Sequence, residues 1–291
     1  MKRFSKVSLA AVLAVVMSFG LIGVASAVTT PTLGVANSFV ILSSTYTNTA
    51  GGTTLNGNVG YTTPPAVAPT INGTVYTPLT PDTTTYNQAG IDQGVALADL
   101  QNQVATFTFA PGPIDLASDT THGTIGIYTP GKYAITGAAD IGGGGTITLR
   151  GKGTYIFQMD GALNTSANSI VRYEEGASPC NVFWIPTAAT TLGANSTFLG
   201  TVIDDSGITI GSNVTWLGRA LAFGGTVSTD TDTITEAACP LNPDNSTVAP
   251  YTGGNPQTSA NGNILILGGV GALVLLLAVS GAFKVAQRNK I

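Results

Sequence analysis

Ionisable side chains are scarce in this 291-residue chain: charged residues are 9% of it, Lys and Arg number 11 against 15 Asp and Glu, and there are 2 cysteines and 1 histidine. Each shortage excludes something. His122 stands alone in a Thr-Gly-rich loop with no nucleophile elbow elsewhere, so a Ser-His-Asp or Cys-His arrangement has no frame, and the residue reads as a solvated loop histidine. Two thiols and one imidazole do not complete a structural zinc site. The carboxylate pairs Glu174-Glu175 and Asp204-Asp205 are adjacent, and neighbours on a strand point to opposite faces, so they read as rim charges rather than a hydrolytic pair. Asp230 and Asp232 share a face, but no dense Asp-Gly repeat makes a calcium site of them. Gly142 to Gly145 reads as a flexible corner and not as a phosphate loop. We therefore expect no enzyme, no cofactor and no metal.

The basic residues are concentrated at the ends. Lys2, Arg3 and Lys6 precede an apolar run from Val7 to Val24, and Ala25, Ser26 and Ala27 complete the pattern of a secretory signal peptide over residues 1–27. Near the other end, Ile264 to Phe283 is free of charge and just long enough to span a bilayer as a helix, with Lys284, Arg288 and Lys290 in the tail 284–291. That asymmetry places the body outside the cell. What remains is acidic, which argues against a nucleic-acid partner. Between the polar linker 240–263 and the apolar run, Asn255, Pro256, Gln257, Thr258 and Ser259 resemble a Gram-positive sorting signal of the NPQT type. That resemblance implies cleavage after Thr258 and transfer to the cell wall, and a retained transmembrane anchor is the other reading. Either displays the domain on the extracellular face.

The intervening chain, residues 28–239, is long enough for one domain. Its clearest feature lies in Cys180 to Phe223, where TTLGANSTFLGTV returns as ITIGSNVTWLGRA after 18 residues. Leu192 aligns with Ile210, Asn195 with Asn213, and Phe198 with Trp216. A short period of this kind marks a solenoid. First strands are expected at Tyr133 to Ile135, Tyr155 to Gln158, Val182 to Ile185, Thr201 to Ile203 and Arg219 to Ala222. Second strands fall around Ile141, Leu163, Leu192, Ile210 and Val227, and third strands around Ile147, Ile170, Phe198, Trp216 and Ile234. Three strands per turn make a triangular β-solenoid, with Asn168, Asn195, Asn213 and Asp232 at its corners. Pro64 to Pro81 reads as loop. Thr85 to Ala105 breaks the pattern with a helix, apolar on two sides and therefore wedged against the body and partly covered. Gly90 and Gly94 each cost that helix roughly 1 kcal/mol, a cost that close packing would offset. A Cys180–Cys239 disulfide is one reading of the two cysteines in an oxidising compartment, and free buried thiols are the other.

The outward residues of the second strands form two expected ranks: Ala162, Thr191, Thr209 and Thr226 before the inward residue, and Asn164, Gly193, Gly211 and Ser228 after it. Successive rungs hold such ranks about 4.8 Å apart. Threonine is stiff at χ1, so its methyl and hydroxyl form a fixed array with little entropy left to lose on contact.

CNVFW (Cys180 to Trp184), ATTLGANSTFLGTV (Ala189 to Val202) and GRALA (Gly218 to Ala222) closely resemble the ice-binding domain of bacteria, fungi, diatoms and copepods. LGVANSFVILSSTYTNT, ALADL, YTPGKYAI and GTYIFQMDGALNTS agree with it in order. The resemblance runs from about Thr32 to Ala238. It implies a discontinuous triangular β-solenoid with one long helix along its side, and an N-terminal rung stacked beside the last one. It further implies an ice crystal surface as partner, met by the eight residues just named, so that ice growth or recrystallisation is inhibited or the cell is attached to ice; the protein itself is expected to be a monomer. Asp140, Ala162 and Gly193 interrupt the regular Thr-x-Thr face that some members carry. A surface adhesin or wall protein using the same flat face on a glycan or another protein is the alternative.

Overall fold

The computed structural model describes residues 28–239. The expected signal peptide, sorting motif and apolar span lie outside them. Among the described residues no helix is long and apolar enough to cross a membrane.

The domain is mainly β, its strands paired in parallel, with one α-helix, α1 (Thr85–Asn102). The pairings form three ladders, as expected of a β-solenoid. The first runs through Phe107–Thr108, Gly131–Ile135, Tyr155–Met159 and Val182–Pro186, then the end of Thr197–Ile203 and the middle of Thr215–Thr229. The second joins Ile114–Asp115, Ala139–Ile141, Leu163–Thr165, Thr190–Leu192 and Ile208–Ile210 to the end of Thr215–Thr229. The third joins Ile127–Tyr128, Thr146–Arg150 and Ile170–Glu174 to the starts of Thr197–Ile203 and Thr215–Thr229, and then to Thr233–Thr235. The coil is discontinuous in sequence: Phe39–Asn48 pairs with Thr215–Thr229 (Ile41 with Ala220, Tyr46 with Val227), and Thr54–Asn56 pairs with Thr233–Thr235. The N-terminal rung thus stacks on the last one.

Two expectations at the ends of the coil need correction. A rung built from Phe107–Thr108, Ile114–Asp115 and Ile127–Tyr128 precedes the one expected to be first, and the Pro-rich stretch expected to be loop contributes Thr70–Ile71 and Val75–Tyr76. These strands are two residues long, too short for alternation to show.

The first ladder is buried on both sides, which explains its unbroken apolar words. Val182–Pro186 is buried at every position, as a parallel strand covered on two faces must be. Its inward side carries an aromatic stack, with Tyr133 on Phe157 at 5.2 Å and Phe157 on Trp184 at 4.3 Å, continuing to Phe198 and Trp216. Both indole N–H groups are satisfied inside, Trp184 by the Leu199 carbonyl at 3.0 Å and Trp216 by that of Gly200 at 2.9 Å. On the outward side Ile156, Phe183, Ile185, Ile203, Leu221 and Leu42 pack with Tyr86, Ala89, Ala96 and Leu100 of α1. A Cβ on Gly90 would lie 2.5 Å from the Phe223 ring, so that glycine marks the close approach, while Gly94 faces open space. Buried Lys132 donates from Nζ to the carbonyls of Leu100, Gln101 and Gln103 at 3.0, 2.7 and 2.7 Å, closing the helix C-terminus. The second apolar side of α1 is not covered: Ile91 and Val95 are 59% and 63% exposed.

The corners are left-handed at Asn168, Asn195, Asn213 and Thr231, with φ of 62°, 58°, 59° and 59°. The expected fourth corner, Asp232, is one residue off. Its side chain is fully buried and accepts from the backbone N–H groups of Val214 at 2.8 Å and Asp230 at 2.7 Å. Burial pushes this carboxyl up to about 6, the two N–H donors pull it down, and the charge of Asp230 pushes it up again. Burial raises Asp204 in the same direction. An unfolded aspartate titrates near 3.9, so between that value and about 6 the folded state holds the extra proton. The stability Asp232 contributes is therefore present below pH ~4 and lost as pH rises through ~6, by up to about 3 kcal/mol. Urea unfolding at stepped pH should show this decline, and Asp232→Asn should flatten it. Parallel pH profiles for the two proteins would refute the assignment.

Candidate functional site

With the first ladder covered by α1, the outer sides of the second and third ladders are the broad surfaces left. On the second, the structure revises the expected ranks. Asn164 pairs with Thr191, Thr191 with Thr209, and Thr209 with Ser228, so these four stand in one row and not two. Asp115 and Asp140 continue it at one end and Thr47 at the other. The expected alignment is two residues out at Leu163 and Val227: Ile208 is opposite Val227, and Leu163, one residue before Asn164, falls opposite Thr190. A slip of two keeps every side chain on its proper face, so the inward and outward assignments survive while the grouping does not.

Ala162 and Thr226 consequently belong to the leading edge of this face, and Gly193 and Gly211 to its trailing edge. Thr226 pairs with Thr45, which bridges to Thr63, giving a short second threonine row. Thr191, Thr209, Thr226 and Thr63 are exposed, while Asn164, Ser228, Thr45 and Thr47 are half-buried. The row is internally tied at both ends, Thr47 Oγ1 donating to Ser228 Oγ at 2.7 Å and Asn164 Nδ2 to Asp140 Oδ1 at 3.1 Å. Beneath it lies a buried polar network: the hydroxyls of Tyr46 and Thr229 are 2.9 Å apart, and Asn48 Oδ1 accepts from Thr229 at 2.9 Å and from Thr53 at 2.8 Å. Burial pushes the Tyr46 phenol up to about 12, which keeps the network neutral. This network sits where the N-terminal rung docks, so the second face continues across the joint.

The third ladder carries a longer row that the reading of second strands missed. Thr146, Ile170, Thr197, Thr215, Thr233, Thr54 and Thr70 are in register, with threonine at every rung but one. Beside it Asn56 donates to Thr235 Oγ1 at 3.0 Å and Asn72 to Asn56 Oδ1 at 2.7 Å. The signal was available in part: Thr197, Thr215 and Thr233 recur at the same 18-residue spacing as the core. Alignment of Ile170 with Ile147 and Phe198 would turn it toward the core, but Val171 is the buried residue there and Ile170 is 40% exposed.

The remaining candidates are structural. His122 is not solvated: its side chain is 1% exposed, with Nδ1 2.6 Å from Asp119 Oδ2 and Nε2 3.2 Å from the Ile127 carbonyl. Its ring stacks on Tyr128 at 4.1 Å. Cys180 and Cys239 are joined as a disulfide. Among the described residues no group of three or more His, Cys, Asp or Glu side chains could hold a metal ion.

A parallel coil closed out of chain order, with one face under a helix and threonine rows on the other two, defines a solenoid-like β protein. The chain belongs to the ice-binding-like family, whose profile matches residues 20–235. It is 30% identical to an ice-binding protein of Nostoc sp. (strain HG1) over 87% of each chain, and 29% identical to one of Flavobacterium frigoris (strain PS1) over 65% of this chain and 71% of that one. Among solved structures it is similar to the ice-binding protein of the Antarctic ascomycete Antarctomyces psychrotrophicus, with TM-score 0.60, 28% identity and coverage of 71% and 98%.

Proposed function

We propose that this protein adsorbs to ice through the outer face of the second ladder, on a solenoid of triangular section, and so inhibits ice growth or recrystallisation or holds its cell to ice. The observation that carries the reading is the single in-register row Asn164, Thr191, Thr209, Ser228 and Thr47 on an uncovered sheet. Ala162 and Thr226 flank it on one side and Gly193 and Gly211 on the other, the two glycines lying where an added Cβ would meet the backbone of a neighbouring rung. Its charges, Asp115 and Asp140, are confined to one end. Membership of the ice-binding-like family supports this ligand over a glycan or protein, which the same face would otherwise suit.

The purified chain should shape ice, enter a growing ice hemisphere and suppress recrystallisation. Thr191→Tyr and Thr209→Tyr should abolish these effects while leaving the melting temperature within a few degrees, since both side chains are exposed. Thr215→Tyr, on the third ladder, should leave them largely intact. Loss with Thr215→Tyr alone would move the site to the third ladder, and a parent chain with no ice activity would end the proposal. We further propose that the protein is exported and held at the cell surface by its C-terminal segment. Cleavage within residues 255–259 predicts that wall-associated protein lacks peptides from 264–291, which mass spectrometry would detect if the segment is retained.

A further inference from the structure

Between Val28 and Cys239 the sequence holds five Lys and Arg against fourteen Asp and Glu. Lys132 and Arg219 are buried. The other three cations, Arg150, Lys152 and Arg172, meet at one corner of the third ladder. Arg150 pairs in register with Glu174, and Thr148 with Arg172. Lys152 lies against Gly176, where an added Cβ would be 3.6 Å from its own. All the exposed positive charge of a strongly acidic domain is thus gathered in one place.

The corner is also open. The strand Ile170–Glu174 pairs along its whole length with Thr146–Arg150, but on its other side the register with the next rung is Ile170 with Thr197 alone. Tyr173, at a position that faces inward on complete rungs, is therefore 47% exposed. Arg172 and Arg150 side chains are 59% and 40% exposed. Glu174 accepts from Arg150 at 3.1 Å and lies 3.6 Å from Arg172, Glu175 lies 3.4 Å from Arg150, and Arg172 Nε donates to Thr148 Oγ1 at 2.9 Å. These contacts orient the two guanidiniums and leave further N–H groups of each to solvent. Lys152 makes no ion pair among the described residues.

We propose that Arg150, Lys152 and Arg172, together with Tyr173 reached over the open edge of the same strand, form a binding surface for an acidic polysaccharide. Guanidinium forks match carboxylates, and an exposed tyrosine ring offers an apolar face and a hydroxyl to a sugar. The acidic remainder of the domain repels a polyanion everywhere else, which confines it to this corner. A nucleic acid would need a far wider basic footprint. The surface lies on a different ladder from the row that meets ice, so occupancy of one leaves the other free.

The test is retention of the full chain on immobilised polygalacturonate, polyacrylate and dextran at low salt. Binding to polygalacturonate and not dextran is expected, weakening as salt rises. Lys152→Glu with Arg172→Glu should weaken it by about tenfold or more, with the melting temperature as folding control. Tyr173→Ala should weaken polygalacturonate binding and leave polyacrylate binding unchanged. The proposal is overturned if the parent ignores polygalacturonate, if the charge reversal changes nothing, or if Tyr173→Ala has no effect and polyacrylate binds equally well.

Discussion

Reducing the Cys180–Cys239 disulfide, or replacing both cysteines by serine, is expected to remove roughly 4 kcal/mol of stability, a large share of the about 5–15 kcal/mol that a typical domain has. The bridge spans 59 residues of sequence, and entropy of the unfolded chain is what so long a loop restricts. Position adds to the effect. Cys180 sits in the short helical turn Pro179–Asn181 that leads into Val182–Pro186, and Cys239 follows Thr233–Thr235. Every strand between Val182 and Thr235 lies inside the covalent loop, including both repeats of the 18-residue unit. Denaturant unfolding with and without reductant measures the difference. A midpoint that moves by less than about 1 kcal/mol equivalent would mean that the unfolded chain is already compact around this segment.

How much of this was legible depended on whether a residue's partner lay one rung away in sequence. Phe198 and Trp216 pair 18 residues apart, and so do Thr191 and Thr209, and these alignments were readable directly. The period changes between Leu163 and Thr190, where residues 175–181 form an excursion outside the strands, and again at Gly224 and Gly225, which carry the long strand Thr215–Thr229 from the first ladder to the second. Those are the two places where the register of the second ladder slipped. Inward and outward parity survived on the second ladder because the slip there was two residues, whereas at Ile170 on the third ladder it was one and the side chain changed face. Thr45, Thr47 and Thr54 had no such signal toward the last rung, because Thr226, Ser228 and Thr233 lie far off in sequence, while Thr63 and Thr70, the near partners of Thr45 and Thr54, fall in the stretch read as loop. Only the family resemblance pointed to that joint. His122 was misjudged for a different reason: burial of a loop histidine depends on Asp119 folding back on it and on Tyr128 beneath it, and no periodicity reports either.

That out-of-order joint should be the domain's most sensitive point after the disulfide, and Arg219 is the residue on which it turns. Its side chain is 1% exposed, an unusual location for a guanidinium, and its Nε donates to the Asn37 carbonyl at 2.6 Å. One terminal nitrogen reaches Glu236 at 3.3 Å and the Ala237 carbonyl at 3.5 Å, and both terminal nitrogens lie 3.7 Å from Cys239 Sγ. The first segment of the domain and the last therefore meet on one buried cation. Substituting Arg219→Met keeps much of the volume but strands the Asn37 carbonyl and leaves Glu236 without its partner. The expected loss is about 3 kcal/mol, held to the lower part of the range for a broken buried pair because Glu236 is 32% exposed and can turn to water. The loss should also be local. Hydrogen exchange should accelerate in Phe39–Asn48 and Thr54–Asn56, whose pairing closes the joint, before it does in Tyr155–Met159 or Val182–Pro186. Uniform acceleration across all three ladders would show that the N-terminal rung is no less firmly held than the rest, and that Arg219 merely fills space. Because Thr45 and Thr47 extend the proposed ice face across this joint, the same variant should weaken ice adsorption while Thr191 and Thr209 remain in place.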